Sequence, residues 1–276
     1  MPLSASELED DPWIRILLMG PPKTGKTTMA IGTSPGPVHV LLCESDSALT
    51  PAARLLGGKA FTFDRVRGWN NMSQAVQEAK KAVEAGKLKT LIIDPLSDFA
   101  QKLEEECLAQ TDTGRGPDGR RAYPEFNRRL RHLLDQLFRL ECHLVVITHY
   151  IDVGGGEVAP DDGGDPTPRV GEGIVPLLAG KARALVAAKF PDVVWFDYKK
   201  GERTLVTGPT GAWGPGCRSL NETRTISADV MKNRNCGIKA LIDAFAGAKK
   251  PMPQPANVRP IRPTATVAVR RPPPRR

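Results

Sequence analysis

The sequence predicts an α/β fold whose mostly parallel sheet is covered by helices on both faces. Three observations carry this. Strand-length apolar runs lack polar alternation, helical periodicity separates them, and a glycine-rich loop directly follows the first run. Trp13–Met19 is the first strand, and a helix begins at Lys26 after the loop. Val38–Cys43 reads as a second buried strand, followed by a helical stretch over Ala48–Leu56. Ala60–Phe63 is a short strand, and Met72–Glu84 has helical spacing. Thr90–Ile93 is a strand ending in Asp94, with a helix after it to about Gln110. Glu125–Leu140 is an amphipathic helix, and His143–Thr148 is another all-apolar strand. Val193–Thr207, with its turn at Lys200-Gly201, reads as an antiparallel hairpin added to one edge of the sheet.

Charge divides the chain more sharply than hydrophobicity does. There are 39 basic and 31 acidic side chains, and eight of the basic ones lie from Lys249 onward, where no acid occurs. The rest of the chain is therefore balanced. That same stretch is studded with proline and has no helical or strand period. It is expected to be an extended, disordered basic tail. The expected organisation is a flexible segment over 1–12, one catalytic domain over 13–248 and the tail over 249–276. The N-terminus is acidic without an apolar core, unlike a signal peptide, and no apolar run approaches the length of a membrane span. Five scattered cysteines never form a Cys-x-x-Cys pair, which argues for free thiols in a reducing cytoplasm and against a zinc or disulfide framework.

The glycine-rich loop carries the strongest chemical signal. Gly20-Pro21-Pro22-Lys23-Thr24-Gly25-Lys26-Thr27 matches Gly-x-x-x-x-Gly-Lys-Thr between a strand and a helix, and Thr28 continues into that helix. Its glycines let backbone amides turn inward toward phosphate oxygens. Lys26 then reaches the β- and γ-phosphates of ATP, and the Thr27 hydroxyl ligates Mg²⁺. Asp94, at the end of Leu91-Ile92-Ile93, is the carboxylate that would hold the same ion through water. Hydrolysis also needs a base for the attacking water; AAA-type ATPases carry a Glu directly after this Asp, and Pro95 in that position argues against their arrangement. The tip of the second strand offers two acids, Glu44 and Asp46. His149, after Thr148 at the tip of a further strand, would lie beside the γ-phosphate.

With these residues in place, the chain resembles the RecA-like P-loop ATPases, and among them the small phage-encoded proteins linked to recombination and single-strand annealing. Asp46-Ser47-Ala48-Leu49 resembles the segment bearing that family's catalytic acid, which makes Asp46 the base; a looser register chooses Glu44. Thr148-His149 falls where the family places a polar γ-phosphate sensor. Asp229-Val230-Met231-Lys232-Asn233-Arg234 is similar to the Lys-x-Arg segment that RecA-type hexamers insert into a neighbour's site. The resemblance implies that Lys232 and Arg234 act in trans, within a homo-oligomeric ring or filament. It also implies single-stranded DNA as partner, with other recombination or replication proteins beside it. The first DNA loop would be Thr111–Ala122, with Arg115, Arg120 and Arg121, followed by Arg128, Arg129 and Arg131; Tyr123 is available to stack on a base. The second, Asp152–Gly173, is acidic and departs from the family pattern. The alternatives are a small-molecule P-loop kinase, with Arg115–Arg121 as its lid, and a non-catalytic ATP-dependent loader or sensor. A GTP switch is disfavoured by the lack of an Asn-Lys-x-Asp motif.

Overall fold

The computed structural model describes residues 12–57, 61–112, 116–153, 173–208, 216–217, 219–220 and 224–248. The N-terminal segment to residue 11, Arg115, most of the acidic loop and the basic tail lie outside the described residues. Six strands run parallel, in the order β8 (Asp192–Lys199), β1 (Arg15–Met19), β5 (His143–Ile147), β4 (Thr90–Asp94), β2 (Val38–Leu42) and β3 (Thr62–Arg65). Beyond β8 the sheet turns antiparallel through β9 (Glu202–Val206) and β11 (Thr225–Ser227), and the short β10 (Gly216–Cys217) also pairs with β8. The hairpin expected at one edge is present. Its first strand is a parallel neighbour of β1, with Met19 opposite Trp195.

Parallel strands buried on both faces send alternate side chains into two separate cores. Leu17, Leu41, Leu91, Ile93 and Val146 face α3 (Trp69–Glu84), α4 (Leu96–Thr111), α5 (Gly119–Phe138) and α6 (Ala182–Lys189). Ile16, Leu18, Val40, Ile92 and Ile147 face α1 (Lys26–Thr33), α2 (Thr50–Leu56) and α7 (Gly237–Ala248). Strands β6 (Tyr150–Val153) and β7 (Gly173–Pro176) form a separate antiparallel pair at the two ends of the acidic segment.

Several boundaries differ from the sequence expectation. Strand β3 runs to Arg65 rather than stopping at Phe63, because it pairs in parallel with β2 through Leu42↔Arg65. Residues 46–48 form one 3₁₀ turn before α2. The arginine-rich stretch expected as a loop through Ala122 is helical from Gly119, with the Asp118 carboxylate capping the Arg120 amide at 3.0 Å. Pro124 lies inside this helix and masked its true start in the sequence.

Helix α4 sets the shape of the functional edge. It starts at the tip of β4, and its Lys102 ammonium donates to the Cys43 carbonyl at the tip of β2. One turn further, Glu106 accepts from the Trp69 amide at 3.2 Å and so caps α3 just after β3. The helix thus crosses the C-terminal tips of β2 and β3, leaving its junction with α5 on the same edge as the loop after β1.

Candidate functional site

The phosphate loop is shaped by its neighbours before any ligand is considered. Gly25 has φ 101° and caps α1, a left-handed conformation that glycine adopts without penalty. Gly20 packs against the backbone of Phe196 on β8 so closely that a Cβ there would collide with the Phe196 carbonyl. Lys23 holds φ 59°, and the Thr24 hydroxyl closes the turn on the Pro21 carbonyl at 2.8 Å.

Lys26 is buried and donates to the carbonyls of Gly20 (2.9 Å) and Pro21 (2.7 Å). Burial lowers its pKa to about 8, with the charges of Asp94 and Glu44 opposing that shift. The Thr27 hydroxyl donates to Asp94 Oδ2 at 2.6 Å, joining the start of α1 to the tip of β4. Asp94 is buried, which raises its carboxyl to about 6 against the Thr27 hydrogen bond and the Lys26 charge. Among the described residues no cluster of three His, Cys, Asp or Glu side chains forms a metal cage. One hydroxyl beside one carboxylate instead fits Mg²⁺, a hard ion that keeps several waters and shares phosphate oxygens. Thr27 and Asp94 would hold it, and it would neutralise charge on the β- and γ-phosphates.

The two acids after β2 have opposite environments. The Glu44 carboxyl rises to about 7 through burial, with Asp94 and Asp98 adding to the shift and Lys26 and Lys102 opposing it. The residue as a whole is exposed, so solvent screens this shift. Asp46 points elsewhere. Arg65 on β3 grips it at both carboxylate oxygens, with Nε to Oδ1 at 2.7 Å, and this hydrogen bonding holds its carboxyl below the usual range.

His149 packs against the first turn of α4. Its amide donates to Ser97 Oγ at 3.3 Å and its Nε2 lies 3.7 Å from Asp98 Oδ1. Burial lowers its pKa, Lys26 adds to that and Asp98 opposes it. The ring thus sits near Lys26 and the acids, beside Asp98, a residue that no motif singled out. Lys102 is a second such residue. Both sit on one face of α4, four positions apart, a spacing readable only once α4 is known to cross the strand tips.

Lys232 and Arg234 are exposed, and the Lys232 ammonium lies 3.6 Å from Asp229 Oδ2. Val230 packs against Gly32, where an added Cβ would come within 2.7 Å of it, and Gly237 sits over Met29 and Thr33. These anchors run along α1 from its middle to its end at Thr33. A third overlooked residue is nearer. Arg203 of β9 donates from Nε to the Thr24 carbonyl at 3.0 Å, within the phosphate loop itself.

A parallel sheet with this loop after its first strand, and a hydroxyl and carboxylate paired beside it, defines an ATP-binding P-loop ATPase. The model of the AAA_24 family, described as an AAA domain, matches residues 13–216, and the chain belongs to that family. A search of curated proteins finds no match. The family match covers the phosphate loop, Glu44, Asp94 and His149 and ends before Lys232 and Arg234. It does not bring an acid to the position after Asp94, which is Pro95 here. The described helices include none long and apolar enough to cross a membrane. The five cysteines are free thiols, four of them buried.

Proposed function

We propose that the chain is a RecA-like ATPase that hydrolyses ATP with Glu44 as base and couples turnover to single-stranded DNA in phage-type recombination or annealing. The placement of Glu44 carries the hydrolytic part of this reading. It is the acid whose field reaches both Lys26 and Asp94, whereas Asp46 is spent on Arg65. In the reaction Glu44 accepts the proton of a water whose oxygen attacks the γ-phosphorus. The bond to the β–γ bridging oxygen breaks, and ADP leaves with Lys26 beside the departing charge.

The surface for DNA is the start of α5. Tyr123 is 45% exposed there beside the exposed Arg120 and Arg121. An aromatic face among arginines suits unstacked bases and phosphates together. Fewer arginines are available than the sequence implied: Glu125 binds Arg128 at 2.7 Å and Arg129 at 2.5 Å, and Asp118 lies 3.5 Å from Arg121 in an exposed pair. Lys232 and Arg234 are exposed, as insertion into a neighbouring subunit's site requires.

The test measures ATP turnover with and without single-stranded DNA, alongside oligomer mass. DNA should stimulate turnover, Lys26→Ala should abolish it, and Tyr123→Ala with Arg120→Ala should remove the stimulation while leaving the basal rate. Arg234→Ala should lower turnover only under conditions where the oligomer forms. A monomer that ignores DNA but phosphorylates a nucleoside would sink the proposal in favour of a kinase.

A further inference from the structure

Strands β8 and β9 extend past the tip of β1 and turn at Lys200-Gly201, both at positive φ, so the hairpin flanks the phosphate loop. Arg203, just after that turn, makes three separate contacts. Its Nε donates to the Thr24 carbonyl at 3.0 Å, its guanidinium lies 4.9 Å from the centre of the Tyr198 ring, and its own carbonyl accepts from the Ala228 amide at 2.8 Å. The side chain therefore fastens the phosphate loop to a two-stranded ribbon, and the backbone fastens that ribbon to β11. The nearby Tyr198 ring adds a cation–π attraction that favours this placement of the guanidinium.

A peptide unit has its carbonyl and the following amide on opposite sides. Fixing the Thr24 carbonyl outward against Arg203 therefore turns the Gly25 N–H to the inner side of the loop, where phosphate is received. Gly25 is the residue least able to hold a conformation unaided. We propose that Arg203 is a positioning residue for nucleotide binding, a clamp in the same subunit that preorganises the Thr24–Gly25 peptide for the phosphates. This rests on the loop binding ATP, and it adds a residue that the loop's own motif does not contain. Because ATP and ADP both place a phosphate against that peptide, the clamp acts on both alike and leaves the chemical step unchanged.

The experiment is fluorescence titration of the full chain with mant-ATP and mant-ADP in Mg²⁺, with steady-state turnover and thermal melting in parallel. Losing one preorganising hydrogen bond should make Arg203→Ala weaken both ligands together by about 5–10-fold, with kcat within about twofold of the starting protein. Arg203→Gln keeps an N–H donor without the charge and should recover most of the affinity. Tyr198→Leu, which removes only the ring contact, should weaken both ligands by about twofold. These two variants carry the test if Arg203→Ala does not fold. Unchanged affinity in Arg203→Ala and Tyr198→Leu overturns the proposal. So does a loss confined to ATP or kcat, or one that Gln fails to repair, since Arg203 would then act through its charge on the γ-phosphate. Failure of the starting protein itself to bind either nucleotide, with Lys26→Ala indistinguishable from it, would overturn the ATP reading instead.

Discussion

Glu44 and Asp46 stand two residues apart in one turn, yet the fold gives them opposite chemistry. The tip of β2 lies under α4, so Glu44 shares its surroundings with Asp94, Asp98 and Lys26, and its carboxyl is raised to about 7. The 3₁₀ turn beyond it swings out beside β3, where Arg65 binds Asp46 on both oxygens and holds its carboxyl low. A base needs a proton affinity close to the working pH and no competing partner. Glu44 meets both conditions and Asp46 meets neither. The difference comes from which charged groups of neighbouring elements stand beside each side chain. Identity and spacing in the sequence do not encode it.

The largest effect that sharpens this contrast is on turnover. Glu44→Gln should lower kcat by about 10²–10⁴-fold, the usual worth of a positioned base. Asp46→Asn should change it less than about threefold, because an exposed ion pair contributes little. Steady-state ATPase assays on the two variants decide it, and equal losses would break the comparison.

A smaller effect lies in the pH dependence of kcat/KM. Glu44 must be ionised to accept a proton, so activity should climb as pH rises through about 7. Lys26 must stay protonated, so activity should fall again above about 8. A bell-shaped profile follows, and Asp46→Asn should leave its acid limb in place. An acid limb that moves with Asp46 would assign the base to the other residue.

The smallest effect is on stability. A carboxyl raised in the folded state binds its proton more tightly than in the unfolded chain, so its stabilisation is complete at low pH. That contribution is lost as pH rises from about 4.5 to about 7. Glu44→Gln should remove this slope, amounting to about 1–2 °C in Tm once solvent screening is allowed for. Arg65→Ala, by contrast, should leave Tm within about 1 °C at pH 7, as expected for an exposed pair. Thermal melts across pH 4.5–8 measure both.

The parts of the site legible in the sequence are those whose logic is local. Gly20–Thr27 announces itself because one loop must turn, cradle phosphate and start a helix within eight residues. Asp94 follows because a buried parallel strand reads as an apolar run and its tip stands beside that loop. The order of the strands and the direction of α4 depend on packing between distant segments. That hid Asp98 and Lys102, which matter only because α4 lies across β2. It also hid Arg203, whose partner Thr24 is on the other side of the sheet's connectivity. Helix α7, β10 and β11 escaped the periodicity reading as well. The two strands have three residues or fewer, too short to show a period. Pro124 turned a helix start into an apparent loop, so Arg120 and Arg121 now stand on a rigid element instead of a pliable one.

The first glycine of the phosphate loop is commonly credited to the nucleotide. Here the space at Gly20 is taken by the carbonyl of Phe196, a residue of the strand that lies alongside β1. Any larger residue would wedge two adjacent strands apart whether or not a ligand ever arrived. That position of the signature is thus under architectural tenancy. A protein that kept this sheet and abandoned ATP would be forced to retain the glycine, while Lys26 and Thr27 would be at liberty to drift.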